Sequence, residues 1–165
     1  MIIREIRTDD AKNFTDLIKK VESHADFMLM EGGERRTTPE QQKKPLERFE
    51  KQDNSTVFVA EDKDKLIGYI IAIGGTVKRT QHTAELVIGI LSEYRGKGIG
   101  SKLFNNITNW AEKHNLSRLE LTVVKDNLAG VKLYKKHGFE IEGTKKKSLI
   151  INDIAYDEYY MAKLL

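Results

Sequence analysis

Arg95-Gly-Lys-Gly-Ile-Gly100 lies between the apolar run Glu85-Leu-Val-Ile-Gly-Ile-Leu91 and a segment where Leu103, Phe104, Ile107, Trp110 and Ala111 recur at helical spacing. Gly96, Gly98 and Gly100 strip side chains from this strand-to-helix turn, so backbone N–H groups can approach a ligand closely. A helix start adds unpaired donors and partial positive charge, and Arg95 and Lys97 add formal charge. The ligand expected here is a pyrophosphate; the plainer reading is a flexible turn. Two familiar phosphate loops are excluded. The third glycine follows the second too soon for G-x-G-x-x-G, and Gly100-Ser101-Lys102 inverts the ending of G-x-x-x-x-G-K-[ST].

A second pattern follows the strand-like Arg118-Leu-Glu-Leu-Thr-Val-Val124: Asn127-Leu-Ala-Gly-Val-Lys-Leu-Tyr134-Lys-Lys-His-Gly-Phe139. Gly130 inside a helical segment costs roughly 1 kcal/mol against Ala, which suggests close approach by a ligand or a neighbouring element. Together the two stretches resemble the GCN5-related N-acetyltransferases. Arg95, Gly98 and Gly100 match that family's [QR]-x-x-G-x-[GA] loop. Asn127, Leu133, Tyr134, Gly138 and Phe139 match its N-x-x-A-x-x-L-Y-x-x-x-G-F segment, with Gly130 where Ala is common. The ending Asn152-Asp-Ile-Ala-Tyr-Asp-Glu-Tyr-Tyr-Met161 is similar to the family's closing hairpin.

The resemblance implies that acetyl-CoA is the co-substrate. Its diphosphate would lie on Arg95, Gly96, Lys97, Gly98, Ile99, Gly100 and Ser101. The backbone of Ile88-Gly89-Ile90 would pair with the pantetheine arm as an added strand, and Gly89 fits a place where strand backbone approaches a ligand. Tyr134 matches the tyrosine beside the coenzyme sulfur, a general acid for the leaving thiolate; the bland reading is a packed aromatic. Asn127 would hydrogen-bond the coenzyme, and an N-cap role is equally natural. Glu85 stands where family members often place the base that deprotonates the amine, against the alternative of a solvated strand end. Glu120 shares a strand face with Thr122 near another such position. Thr122 itself, five residues before Asn127, stands where ribosomal-protein acetyltransferases resemble a glutamate, and it cannot act as a base.

Bulk properties bound these readings. A chain of 165 residues fits a single domain spanning 1–165 with a substantial core. No apolar run approaches the ~18 residues of a membrane span, and no signal-peptide pattern opens the chain. Zero cysteines exclude disulfides, a cysteine nucleophile and thiolate zinc sites. His24, His82, His114 and His137 have no metal-like spacing, so no metal is expected. The cytoplasm is the default compartment. Residues 95–147 carry 12 Lys or Arg against five Asp or Glu, so the charge excess sits on the half with the glycine loop. No nucleic-acid-binding motif accompanies it, and neither nucleic acid nor membrane is expected as a partner. A homodimer is compatible with the sequence. Lys145-Lys-Lys147 reads as a solvated strand face.

The expected architecture is mixed α/β. Ile2–Arg7 alternates as a strand, and Thr8 is placed to cap a helix with Ala11, Phe14, Leu17, Ile18 and Val21 on one face. Thr38-Pro-Glu-Gln41 is a capping box with proline at the first helical position, opening a helix to about Gln52. Strands are expected at 56–61, 65–74 and 84–91, a helix at 100–114, a strand at 118–124, and a helix at 127–137 stopped by Gly138. A strand at 139–142 and a hairpin of 145–151 with 154–164 around Asn152-Asp153 complete the chain. Short links make strands two to four antiparallel, and a helical crossover makes the fourth and fifth parallel. The resemblance adds that this pair splays within a mostly antiparallel twisted sheet with flanking helices.

An activated thioester needs only positioning, amine deprotonation, carbonyl polarisation and thiolate protonation, so no covalent intermediate is required. That suits a chain without cysteine or a G-x-S-x-G elbow. The expected function is acetyl transfer to a primary amine, on a small molecule or a peptide. The other class is an acyl-CoA-binding sensor or non-catalytic subunit. Phe27, Met30, Glu31 and Glu34, in a segment that also carries Met28, suit an amine on an apolar stem, unless that segment merely covers the core.

Overall fold

The structure is a computed structural model and describes residues 1–165. Its elements are β1 (Ile2–Glu5), α1 (Ala11–Ser23), α2 (Pro39–Glu50), β2 (Thr56–Asp62), β3 (Lys65–Gly74), β4 (Thr83–Ile90), α3 (Ile99–Lys113), β5 (Arg118–Val124), α4 (Leu128–Lys136), β6 (Glu140–Ile151) and β7 (Ile154–Leu164). They form one seven-stranded sheet in the order β1-β2-β3-β4-β5-β7-β6. Every neighbouring pair is antiparallel except β4 with β5. The expected mixed α/β fold with a parallel fourth and fifth strand is therefore present. No helix is long and apolar enough to cross a membrane.

The two sheet faces take different helices. Side chains alternate along β3, so Tyr69 and Gly68 point oppositely. The Tyr69 ring meets Phe14 of α1 edge to face at 5.5 Å. A Cβ added at Gly68 would meet Ile99 of α3 at 3.6 Å. The apolar stripe foreseen for α1 is buried, as are Leu103, Phe104, Ile107 and Ala111 of α3. Each large side chain so buried contributes roughly 1.5–3 kcal/mol. α4 lies beside α3, close enough that a Cβ on Gly100 would stand 2.9 Å from Leu133 Cδ2.

Local signals held unevenly. The capping box of α2 forms in full: Gln41 N–H donates to Thr38 Oγ1 at 3.2 Å, and Thr38 N–H donates to Gln41 Oε1 at 2.9 Å. Thr8 does not cap α1. A 3-10 turn, Thr8–Asp10, precedes that helix, and the Thr8 hydroxyl donates to Glu50 Oε1 at 2.7 Å. The Asp10 carboxylate instead accepts from Arg7 N–H and from both terminal nitrogens of Arg4.

The C-terminal region also differs from expectation. The strands expected at 139–142 and 145–151 are one continuous β6, interrupted by register shifts between Ile141 and Gly143 and between Lys145 and Leu149. Lys147 takes a left-handed φ of 49° there, and its N–H donates to the Asp157 carboxylate at 2.8 Å. Extra residues are absorbed as bulges, which bend a strand without ending it.

Candidate active site

One cleft of about 1470 Å³ collects most of the polar groups singled out above. That exceeds the ~300–1,000 Å³ of an ordinary small-ligand pocket, so it has room for two reactants. The glycine loop forms one end. Gly96 and Gly98 adopt φ of 72° and 79°, and a Cβ at either position would meet nothing within 4 Å. Glycine is demanded there by conformation, not by crowding. Gly98 is also the N-cap of α3, with no side chain capping it. The first N–H groups of a helix lack intrahelical acceptors, so here they face open space above side-chain-free backbone. Ser101 in the first turn has its Oγ 3.0 Å from His137 Nε2. Burial, together with Lys136 and Lys163, holds His137 below its ordinary pKa. Lys97 turns aside, its Nζ over the Tyr94 ring at 5.2 Å, and does not line the cleft.

Strands β4 and β5 are zipped for only three residue pairs, Thr83 with Arg118, Ala84 with Leu119 and Glu85 with Glu120. Beyond Glu85 they part. Hydrogen bonds to β3 at both ends of β4, Gly75 N–H to Thr83 C=O and Leu91 N–H to Ile67 C=O, assign its odd residues to β3. The backbone groups of Leu86, Ile88 and Ile90 therefore face the gap, and those of Gly89 face β3. Ile90 C=O accepts from Arg95 Nε at 3.3 Å, and Arg95 Nη2 reaches His24 C=O at 3.4 Å. Gly89 has a different explanation from the expected ligand approach. A Cβ there would lie 2.6 Å from the Tyr69 ring, so the aromatic on the paired strand requires it.

Tyr134 projects from α4 into the same cleft, within an aromatic cluster formed with Phe104 and Phe139. Its phenol is pushed up to about 12 by burial and is therefore a neutral donor near pH 7. The hydroxyl bonds to no protein group, yet it is not sealed in, since Thr108 Oγ1 is the one enclosed side-chain polar atom without a partner. Asn127 caps α4, its Oδ1 accepting from Gly130 N–H at 3.0 Å. Its folded-back amide is also what a Cβ on Gly130 would strike, at 2.7 Å from Nδ2. The close neighbour inferred from Gly130 is therefore the cap itself. Asn127 lines the cleft, and its Nδ2 has no protein acceptor.

Glu85 is exposed and unpaired, whereas Glu120 accepts from Arg118 Nε at 2.8 Å. The other edge of that guanidinium grips Glu142. Those bonds hold Glu142 below the ordinary carboxylate range and Arg118 above its own. Both Glu85 and Glu120 line the cleft. Phe27 lines it too, its ring 5.9 Å from that of Tyr156 on β7, so the α1–α2 connection roofs the cleft. Met30, Glu31 and Glu34 lie outside the lining, and Glu34 Oε2 accepts from Glu31 N–H at 2.9 Å.

Sequence reading missed Glu22, Arg35 and Tyr69, which also line the cleft. Their partners are distant in the chain. The one available signal was Glu22 interrupting the end of an apolar helical stripe.

Comparison with known proteins places these features in a family. The model of the Acetyltransferase (GNAT) family matches residues 22–139. The L-amino acid N-acetyltransferase AaaT of Escherichia coli (strain K12) is 40% identical over 90 residues, covering 52% of this chain and 54% of that protein. The chain spans about half the length of AaaT and of a second curated relative that it matches. A crystal structure of a GNAT-family acetyltransferase from Streptococcus pneumoniae superposes with a TM-score of 0.96 at 32% identity, over 99% of each chain. The fold is shared with yncA of Salmonella typhimurium, described as a putative acetyltransferase with its cofactor acetyl-CoA: TM-score 0.88, 18% identity, 99% of this chain and 93% of that one. Matched by that family model over most of its length, the chain belongs to the GNAT acetyltransferase family.

Proposed function

We propose that this protein is an acetyl-CoA-dependent N-acetyltransferase that acts on a primary amine of a small molecule or peptide. The observation that carries the reading is the convergence, in one cleft, of the open Gly96–Gly98 turn at a helix start, the parted β4 and β5, and the Tyr134 hydroxyl. These suit the three parts of acetyl-CoA. The uncapped N–H groups of α3 and the Gly96–Gly98 backbone would hold the diphosphate. The gap-facing groups of Leu86, Ile88 and Ile90 would take the pantetheine amides in strand fashion.

Acetyl-CoA supplies an acyl group already activated as a thioester. The residues then divide the proton work. Glu85 takes the proton from the incoming ammonium, directly or through one water. Glu120 is already engaged by Arg118 and is less free to reach an incoming amine. Tyr134, buried and neutral, donates its proton toward the sulfur as the thiolate departs. The walls of the cleft keep amine and acyl carbon together, which lowers the barrier by orientation alone.

The test is a panel of amines assayed for acetyl-CoA-dependent thiol release, run beside thermal shifts with acetyl-CoA, NAD and ATP. At about 100 times its dissociation constant, acetyl-CoA should stabilise the fold by roughly 2.7 kcal/mol. NAD and ATP should do much less, and at least one amine should release thiol. A shift with acetyl-CoA but no release from any amine or peptide would favour the sensor instead.

A further inference from the structure

The acceptor side of the cleft holds polar groups that the transfer steps leave unused. Glu22, near the end of α1, is 4% exposed. Arg35 Nε and Nη2 donate to its two oxygens at 2.7 and 3.0 Å. This grip uses one edge of the guanidinium. The end-on fork, Nη1 with the second hydrogen of Nη2, has no protein acceptor, and Arg35 lines the cleft at 28% side-chain exposure. Tyr69 is 1% exposed, and its hydroxyl has no protein partner. That hydroxyl is not among the enclosed orphan atoms, so its contact is with the cleft. It lies 2.7 Å from where a Gly89 Cβ would stand, beside the unzipped stretch of β4.

We propose that Arg35 and Tyr69 form a carboxylate-binding subsite, positioned by Glu22, and that the acceptor is a free α-amino acid with an apolar side chain. The inference rests on the N-acetyltransferase reading of the cleft. A guanidinium fork matches the two oxygens of a carboxylate, and a neutral phenol adds a third donor. Burial first, and the charge of Glu22 second, keep the Tyr69 phenol protonated above its ordinary range. One carbon separates amine from carboxylate in an α-amino acid. Anchoring the carboxylate beside Gly89 therefore keeps the amine at the gap, on the sheet face shared by Glu85, Val87 and Gly89. Phe27, Met28, Ile71 and Val87 supply an apolar wall for the side chain. A peptide N-terminus presents a neutral amide where this subsite expects charge.

The experiment compares leucine, leucinamide, isopentylamine and leucylglycine as acceptors, with Arg35→Lys and Tyr69→Phe as variants. Leucine binding to the CoA-saturated protein is followed by calorimetry in parallel. We expect leucine to exceed leucinamide in kcat/KM by roughly 10- to 100-fold, as lost charge-assisted hydrogen bonds imply. Both variants should raise the KM for leucine and spare that for leucinamide, with an unchanged thermal shift from acetyl-CoA. Tyr69→Phe keeps the ring, so it reports even if Arg35→Lys unfolds. Equal use of leucine and leucinamide, or a preference unaltered in Tyr69→Phe, overturns the subsite while thiol release upholds acetyl transfer. If no amine releases thiol, Arg35-dependent binding of leucine supports the subsite without the transfer reading, and absence of binding overturns it.

Discussion

Glu85 and Glu120 stand opposite each other in the last register pair before β4 and β5 part, and Arg118 holds Glu120 alone. One carboxylate is thus committed to a structural ion pair, and its neighbour is exposed and has no protein partner. Glu85→Gln should lower kcat/KM by ~10²-fold or more, with the largest deficit at low pH, where the amine is mostly charged. Glu120→Gln should change it far less, and neither should alter acetyl-CoA affinity. A pH–rate profile for both variants checks this, and matching deficits would assign the base to the pair.

Tyr134→Phe preserves the ring against Phe104 and Phe139 and removes the hydroxyl. The melting temperature and coenzyme affinity should hold. Turnover should fall about 10²–10⁴-fold, in kcat, because the hydrogen bond strengthens only as charge develops on sulfur. Steady-state kinetics with saturating acetyl-CoA measures it, and full activity would remove Tyr134 from the mechanism.

Two glycines should respond for different reasons. Gly98 is left-handed in open space, so Gly98→Asp adds strain of about 1–2 kcal/mol and places negative charge at the proposed diphosphate site. It should abolish the acetyl-CoA thermal shift. Gly89→Ala drives a methyl into the Tyr69 ring, and overpacking of this kind costs roughly 1–3 kcal/mol. Combined with Tyr69→Leu, the loss should be less than additive, as a double-mutant cycle in urea can measure.

Stability should also depend on pH through Arg4 and Asp10. The hydrogen bond from Arg4, joined by Arg7 N–H, holds the Asp10 carboxyl below its ordinary 3.8. The folded protein therefore binds that proton less readily than the unfolded chain. The stabilisation is complete above 3.8 and is lost as pH falls through the lower folded value. Asp10→Asn should cost about 1 kcal/mol at pH 7, kept small by solvent screening. Against wild type, the gap should close in strongly acidic buffer when urea midpoints are compared.

What the sequence discloses follows the range of the interactions involved. The Thr38–Gln41 box, the Gly98 turn and the Asn127 cap are each written within a few residues, and each was legible. Tyr134 is singled out by the resemblance of residues 127–139 to the family's segment, and it lines the cleft. By contrast, the Glu22–Arg35 pair and the crossing of Tyr69 over Gly89 depend on elements that meet only after the sheet assembles. Gly143 and Thr144 fall between two expected strands, yet both pair with β7 and join those strands into one. Thr8 had the chemistry of a cap, but Glu50 competes for its hydroxyl from 42 residues away.

The short zipper between β4 and β5 gives the sheet an edge inside the molecule as well as at its margins. Margins are dangerous, because exposed strand edges recruit other chains. The outer strand β6 answers with Glu140, Glu142 and Lys145–Lys147 and with two bulges that roughen its line. The inner edge, Leu86-Val-Ile-Gly-Ile90, carries no such guards. It faces β5 across a cleft, so a thin polyamide arm can enter where a whole foreign strand, with its side chains, cannot. Shelter replaces charge as the defence against aggregation, and a stretch of backbone stays open for the guest proposed above.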